Sequence, residues 1–498
     1  MSATSIPSLP AEATPAVRPA LCPVHAVLLL LAAVTLFRLW YCTWLELVPD
    51  EAYYWLWSKH LAASYRDKGP GIAWAIALGT RLFGDTVFGI RVVGILLGAG
   101  TGWQVFRLAR RLYDDWTAFW CVVVAEVMPL FAVGSILMTI DSLSVFFWAW
   151  AINVFWSSLE SGRTRHWALL GLVVGLGFLA KFTNGVQLAC IAAFLLWSGP
   201  HRRFLFSRPM LVMLGTFGVC VLPILYWNIQ VGWIHAQALH SRSGVEGSFG
   251  VHPRELLRFL GEQAGVVSPL LMIGIIVAAV TMGWKQSGEA RVRFLLCQFV
   301  PLYALFVFFS LNRAGKGNWP APALVAGIVL LVVFWRDLAA RRPRWCWAVR
   351  TGLGVAIVST AFLHLTAVLP PLPPRFNLMR RAQGWASFGE QVQRAREQTG
   401  IQLLIGNHYY QASMMQFYLP DHPRTYLLRD RYGATQFTLW PGYDLAPGTQ
   451  ALYVTDSTKP LPPKVQDEFQ EANLLDEFWS VHRGRPVKRF RIYVLTRR

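Results

Sequence analysis

Apolar runs long enough to cross a bilayer recur along most of this chain, and they leave few folds open. A spanning helix needs about 20 predominantly apolar residues. Candidate spans fall at 24–45, 87–107, 116–138, 142–159, 167–181, 183–198, 210–229, 259–283, 294–311, 320–335 and 346–369, about eleven in all. The apolar stretch Ile72–Phe83 covers only about half a bilayer at roughly 1.5 Å per residue, so it reads as membrane-associated and not spanning. The loops Arg107–Arg111, Arg163–His166, His201–Arg208, Lys285–Arg293 and Arg336–Arg344 are short and basic, and each follows an even-numbered span. Loops of that kind face the cytoplasm. The opposite face then carries Asp50–Lys68, Met138–Asp141, Lys181–Asn184, Gln230–Arg258, Asn312–Trp319 and everything from Arg375 on. The fold class expected is a polytopic α-helical membrane protein with a small C-terminal α/β domain.

A net charge of +19 invites a nucleic-acid partner, but many of the basic residues sit in loops between apolar runs, where they act as orientation signals; no nucleic-acid partner is expected. The seven cysteines lie in or beside apolar runs at irregular spacing, which gives neither a metal pattern nor a disulfide framework. Residues 1–22, rich in Pro, Ala, Ser and Thr, read as a disordered cytoplasmic N-terminus. The run from Val24 lacks a strongly basic leader and a small-residue cleavage site, so it reads as a retained first helix. Residues 23–370 form the membrane domain, a Pro-rich linker runs from Pro370 to Pro374, and 375–498 form the tail domain. In the tail, Gly384–Thr399 reads as an amphipathic helix closed by Gly400, and Tyr409–Tyr418 as a second helix. Ile401–Ile405, Thr425–Leu428, Gln450–Thr455 and Arg489–Leu495 read as strands. Strands alternating with helices suggest an α/β layer.

The polar residues gather on the outer face. Just past the first span comes Pro49-Asp50-Glu51-Ala52-Tyr53-Tyr54-Trp55, followed by Tyr65-Arg66-Asp67-Lys68-Gly69-Pro70-Gly71. Acids at membrane depth are costly and usually functional. The competing reading is capping, with Asp50 as helix cap and Glu51 favouring the helix dipole; it leaves the Tyr65–Pro70 run unexplained. Asp141 is either a catalytic carboxylate or the cap of the helix that starts beside it. Lys181, a lone cation among apolar residues, either binds an anion or snorkels to the interface. Arg313 and Lys316 form a basic loop on the side that the positive-inside bias disfavours, which points to anion binding. His240, Arg242, His252 and Arg254 belong to a long loop that either closes over a ligand or is solvated. Arg38 and Glu126 lie within spans, where pairing is the default, and His364 reads as a packed helix residue. Gly98-Ala99-Gly100-Thr101-Gly102 lies inside an apolar helix, which suits close helix packing better than a phosphate cradle. No Asp-x-Asp pair, Walker loop or His-Glu-x-x-His occurs, so no metal and no cofactor are expected. Carboxylates and cations on one face suit a reaction in which an acid takes a proton from a hydroxyl while cations neutralise a phosphate leaving group.

Val48-Pro49-Asp50-Glu51-Ala52-Tyr53-Tyr54, Tyr65-x-x-Lys68-x-Pro70, the helix start at Asp141 and Asn318-Trp319-Pro320-Ala321-Pro322-Ala323 together resemble bacterial integral-membrane glycosyltransferases of the GT-C class. Within that class the chain is similar to the lipid A aminoarabinose transferases and the galacturonosyltransferases of lipopolysaccharide, which lie near the protein O-mannosyltransferases. The resemblance covers roughly residues 24–370, and the tail more loosely. It implies GT-C architecture, a polyprenyl-phosphate sugar donor, a lipid or glycan acceptor in the envelope, and a site at the outer face of the inner membrane. It also implies that Asp50 is the base and that Lys68 and Tyr65 hold the donor phosphate. Glu51 and Asp141 join Asp50 as catalytic candidates. Lys181, His240, Arg242, Arg313 and Lys316 join Lys68 and Tyr65 as substrate-binding candidates. Lys68-Gly69-Pro70 departs from the Lys-Pro-Pro frequent in relatives. The alternatives are an O-mannosyltransferase-like enzyme, a transporter of lipid-linked anions, and a membrane scaffold whose tail binds a partner.

Overall fold

The computed structural model describes residues 22–235, 250–370, 372–373, 377, 379–428 and 435–497. The expected disorder of 1–22 therefore falls almost wholly outside the described residues, as do His240, Arg242 and two residues of the Pro-rich linker. The chain opens with helix α1 (Pro23–Tyr41) and the short α2 (Pro49–Lys59). Then come α3 (Gly71–Phe83), α4 (Val87–Leu112), α5 (Asp115–Val127), α6 (Pro129–Gly134), α7 (Ile140–Ser161), α8 (Thr164–Ala180), α9 (Val186–Trp197) and α10 (Arg208–Val231). Beyond the undescribed segment lie α11 (Pro253–Val267), α12 (Pro269–Lys285), α13 (Ala290–Asn312), α14 (Leu324–Arg341) and α15 (Cys346–Val368).

The chain is a multi-pass membrane protein, with fewer long spans than the sequence suggests. Among the described residues, seven helices are long and apolar enough to cross a membrane, or eight if the bent pair α11 and α12 counts as one. The apolar runs at 167–181 and 183–198 become helices of only 17 and 12 residues, short of a full crossing. The run at 116–138 breaks at Met128, whose extended backbone is what the following Pro129 demands. The run at 259–283 bends by 108° where Ser268, at φ 85°, precedes Pro269. Proline supplies no N–H to continue a helix and keeps its predecessor out of the helical region.

The basic loops meet at one end of the bundle. There Arg336 pairs with Asp114 at 2.7 Å and Arg111 with Glu160, and Arg291 stacks over Tyr113 at 4.6 Å. Within the bundle Arg38 pairs with Glu126 at 2.6 Å, both nearly buried, as expected of charges inside spans. His364 is packed against Phe37 and Tyr41. Side chains of Ser135, Phe146 and Leu31 fill the space where Gly98, Gly100 and Gly102 lack a Cβ, so that run serves close helix packing.

At the other end sits the tail. Its helices are α16 (Trp385–Thr399), closed by left-handed Gly400 as expected, α17 (Tyr409–Tyr418) and α18 (Pro463–Glu468). Its strands β1 (Leu403–Gly406), β2 (Thr425–Leu427), β3 (Gln450–Thr455), β4 (Glu471–His482) and β5 (Arg485–Thr496) form one sheet in the order β2-β1-β3-β5-β4. β1 pairs in parallel with β2 and β3, while β5 runs antiparallel to β3 and β4. The tail shares a core with the membrane domain. Ala52, Tyr53, Trp57 and Ile72 from α2 and α3 form one buried cluster with Phe388, Met414, Phe417 and Phe490. Burying a side chain such as Phe388 stabilises by roughly 1.5–3 kcal/mol, so this shared core sets α2 firmly between the two parts.

Candidate active site

The acidic pair begins α2, and its two members have different surroundings. Val48 is the helix cap and Pro49 the first helical residue, so Asp50 sits inside the first turn and caps nothing. Glu51 is completely buried. Its carboxylate accepts hydrogen bonds from Val48 N at 3.0 Å, Met138 N at 2.8 Å, and Arg91 at 2.8 and 2.6 Å. Arg91, also fully buried, donates further to the carbonyls of Cys42, Leu45 and Glu46 at 2.8–2.9 Å. The Glu51 carboxylate ties the α1–α2 connection to α4 and reaches no open surface, which does not favour its expected place among the catalytic groups.

Asp50 is the opposite case. Its side chain is 33% exposed, and Arg381 stands off at 3.7 Å. Its one close hydrogen-bond partner among the described residues is the Tyr409 hydroxyl, which donates at 3.2 Å from the first residue of α17. Tyr54, one turn further along α2, is buried. Burial pushes its phenol well above the usual range, and the charges of Asp50, the Tyr409 phenol, Asp141 and Asp67 push it further. Tyr54 therefore stays neutral, within electrostatic reach of three carboxylates.

Asp141 lies in the first turn of α7. Thr139 caps that helix by accepting from Asp141 N at 3.3 Å, which frees the Asp141 carboxylate from the capping role. One of its oxygens pairs with Lys181 Nζ at 2.8 Å, and the other accepts from Asn318 Nδ2. Lys181 sits at the break after α8 in extended backbone and is 7% exposed, so it turns inward and does not snorkel. Its ammonium also lies 3.5 Å from the Trp319 carbonyl. Three separate stretches thus converge on one buried ion pair.

Tyr65 packs into the core. It is fully buried and stacked on Trp57, with centroids 4.5 Å apart, and its hydroxyl donates to the Trp57 carbonyl at 2.9 Å. This packing does not favour its expected place among the phosphate-binding groups. Lys68 closes a turn whose backbone pairs with Tyr65 at 3.1 and 3.3 Å, leaving its side chain half-buried. A Cβ on Gly69 would lie 2.0 Å from the Leu179 carbonyl oxygen, so this position has room only for glycine. That contact seats the Lys68 turn on the backbone just ahead of Lys181. Arg313 and Lys316 are exposed and make no ion pair among the described residues. Their loop is held from α11, where Glu255 accepts from Ala314 N at 3.1 Å and Glu262 from Gly317 N at 3.0 Å.

Sequence reasoning missed Arg381 and Tyr409 as parts of this site, and placed Tyr54, Asp67 and Asn318 only inside motifs. Next to Asp50 lies a cleft of about 310 Å³ lined by Pro49, Arg380, Arg381, Trp385, Tyr410 and Lys488 among others. Lys488 is held by Asp456 at 2.5 Å and lies over the Tyr410 ring. No group of three His, Cys, Asp or Glu suited to a metal occurs among the described residues.

Comparison with known proteins bears on the fold and the family. Residues 67–227 match the family described as dolichyl-phosphate-mannose-protein mannosyltransferase. The lipid A galacturonosyltransferase RgtD of Rhizobium johnstonii is 26% identical over 72% of this chain and 74% of its own length. The undecaprenyl phosphate-alpha-4-amino-4-deoxy-L-arabinose arabinosyl transferase of Pseudomonas aeruginosa is 29% identical over 57% of this chain and 54% of its own. The chain thus spans only about half the length of this second relative. The crystal structure of ArnT from Cupriavidus metallidurans in the apo state superposes with a TM-score of 0.63 at 16% identity, covering 95% of this chain and 98% of that one. The same protein has also been solved bound to undecaprenyl phosphate. The oligosaccharyltransferase AglB of Archaeoglobus fulgidus superposes at a TM-score of 0.51 and 13% identity, over 80% of this chain and 64% of its own.

Proposed function

We propose that this chain, an integral-membrane protein of the GT-C glycosyltransferase class, moves a sugar from a polyprenyl-phosphate donor to lipid A, lipopolysaccharide or another envelope acceptor. The observation that carries the reading is Asp50: a partly exposed carboxylate at the seam of membrane bundle and tail, loosely held, with a basic cleft beside it. In this reading Asp50 takes the proton from the acceptor hydroxyl, or orients it, as that oxygen attacks the sugar C1. The bond from C1 to the phosphate oxygen breaks, and polyprenyl phosphate leaves. Phosphate is a good leaving group, so no second carboxylic acid is needed, and one displacement inverts the anomeric carbon. Lys68 contacts the donor phosphate together with cations from Arg313, Lys316, His240 and Arg242. Asp141 and Lys181 position the loop around Asn318. Arg380, Arg381 and Lys488 suit an acceptor that carries phosphate or carboxylate groups.

The placement follows from the basic loops. With that end in the cytoplasm, Asp50 and the tail, 375–498, lie on the outer, periplasmic side of the bacterial inner membrane. A transporter reading would call for polar groups through the membrane depth, whereas the deep pair Arg38–Glu126 is closed on itself. A protein acceptor stays as the second reading, favoured by the family match over 67–227. The deciding experiment incubates the purified protein in lipid nanodiscs with undecaprenyl-phosphate sugars and offers lipid A and an unstructured Ser/Thr-rich peptide in parallel. Mass spectrometry is expected to find one added sugar on lipid A. Sugar on the peptide alone moves the assignment to the second reading, and no transfer to either overturns both.

A further inference from the structure

A second binding feature lies at the far end of the bundle. α7 begins beside Asp141 and ends at Ser161, roughly 30 Å away at about 1.5 Å per residue. Near its far end a cleft of about 410 Å³ opens between α4, α7 and α8. Its walls include Arg107, Arg111, Trp150, Val154, His166 and Leu169. Trp150, Val154, Ser157 and Ser161 follow helical spacing along one face of α7, so the cleft runs inward from the membrane surface. From Ser161 to Trp150 the run is about 16 Å, close to one leaflet of a hydrocarbon core about 30 Å thick. The deep part is apolar and aromatic apart from Asn153, whose amide nitrogen donates to the Gln104 and Ala149 carbonyls, and the mouth is charged.

The charges at the mouth do not cancel. Arg111 is engaged by the Ser157 hydroxyl and the Glu160 carboxylate. Glu160 also accepts from the Trp156 indole. His166 shares a hydrogen bond of 2.6 Å with Ser161. Arg107 lies one turn before Arg111 on the same face of α4, exposed, with no hydrogen bond or ion pair among the described residues. One uncompensated cation therefore stands above an apolar slot of leaflet depth, at the end of the bundle that carries the basic loops.

We propose that this cleft binds an anionic phospholipid, its phosphate at Arg107 and one acyl chain along Trp150, Val154 and Leu169. Basic pockets between membrane helices on the cytoplasmic side suit such headgroups, and an apolar slot of this depth gives free phosphate no reason to prefer it to water. The site does not depend on the reaction proposed above. The test uses the purified full-length chain in mild detergent and native mass spectrometry, with phosphatidylglycerol and phosphatidylcholine of the same chains. Phosphatidylglycerol should be retained about fivefold better, the worth of roughly one basic residue against an anionic headgroup. Arg107→Gln should bring it to the phosphatidylcholine level with thermal unfolding unchanged. Leu169→Trp, which fills the slot, should lower retention of both lipids. Equal retention of the two lipids by the unaltered protein, undiminished phosphatidylglycerol on Arg107→Gln, or full retention by Leu169→Trp overturns the proposal. Displacement of the lipid by millimolar inorganic phosphate also overturns it, since the ligand would then be the free anion.

Discussion

Asp50 and Glu51 are neighbours in sequence but belong to two differently built regions. The node under α2 is closed: Glu51 and Arg91 are both fully buried, and five backbone groups between Cys42 and Met138 bind one or the other. The rim above it is open: among the described residues Asp50 keeps one hydrogen bond of 3.2 Å and a distant guanidinium. A carboxylate whose lone pairs are taken by fixed donors is held in place but has no capacity left for a substrate proton. A carboxylate with spare capacity, on a helix that the closed node immobilises, has both position and vacancy. The contrast supports the proposal of architecture for one acid and chemistry for the other, and each can be tested by breaking it.

The largest effect should come from the node. Arg91→Ala leaves the Glu51 charge buried without its partner, a loss of about 3–5 kcal/mol. Expression and thermal unfolding should show a protein that is poorly folded or absent from the membrane; a stable Arg91→Ala protein would mean that the node is dispensable. At the rim the expected loss is in rate. Asp50→Asn keeps size and most hydrogen bonding, and Asp50 caps no helix, so the variant should fold and bind donor yet turn over about a hundredfold or more slower. Glu51→Gln is the control. A well-folded, inactive Glu51→Gln enzyme beside a fully active Asp50→Asn one would reverse the assignment.

The sequence made the membrane class and the tail helices legible, because each rests on local composition or periodicity. Tyr409–Tyr418 and Gln450–Thr455 have the same bounds in the structure as in the sequence reading. Which of two adjacent acids faces inward is not local information. Helical phase places them about 100° apart but does not say where the core lies. That depends on Arg91, 40 residues beyond Glu51, and on the tail, whose Tyr409 lies 359 residues beyond Asp50. Tyr409 and Arg381 were missed for the same reason. Tyr65 looked like a phosphate ligand because its burial against Trp57 requires the whole α2–α3 turn. Strand β4 went unread because it lies at the sheet edge: Leu474, Leu475 and Trp479 are exposed, which breaks the apolar alternation. Neither α8 beyond His166 nor α9 contains a charged residue, so only their length distinguishes these short helices from full spans.

Two smaller effects sharpen the contrast from the tail side. Tyr409→Phe removes the close hydrogen-bond partner of Asp50 and leaves the ring stack on Tyr53, whose centroids are 4.6 Å apart, intact. A single hydrogen bond to a charged group is worth about 1.5–3 kcal/mol at most, and at 3.2 Å on a part-exposed carboxylate less, so steady-state kinetics should show a severalfold fall in kcat with unchanged stability. A loss as large as that of Asp50→Asn would mean that Tyr409 itself handles the proton.

The smallest expected effect is a pH dependence at the cleft. Burial raises the pKa of Asp456, but hydrogen bonds from Lys488 and Tyr410 and the Lys488 charge outweigh it, and the carboxyl ends below its usual range. A carboxyl held lower in the folded protein than in the unfolded chain binds its proton more readily when unfolded. Its stabilising contribution is therefore complete above the unfolded pKa, near about 4, and disappears as pH falls through the folded value. The unaltered protein and Asp456→Asn should thus differ in thermal stability at about pH 7 and converge below about pH 4. Lys488 lines the cleft beside Asp50, so releasing it from Asp456 should also change how the cleft meets an anionic acceptor, with KM moving and the rate at saturation largely kept. If kcat falls instead and KM stays, Asp456 acts on the open rim and the boundary between architecture and chemistry runs through the tail as well.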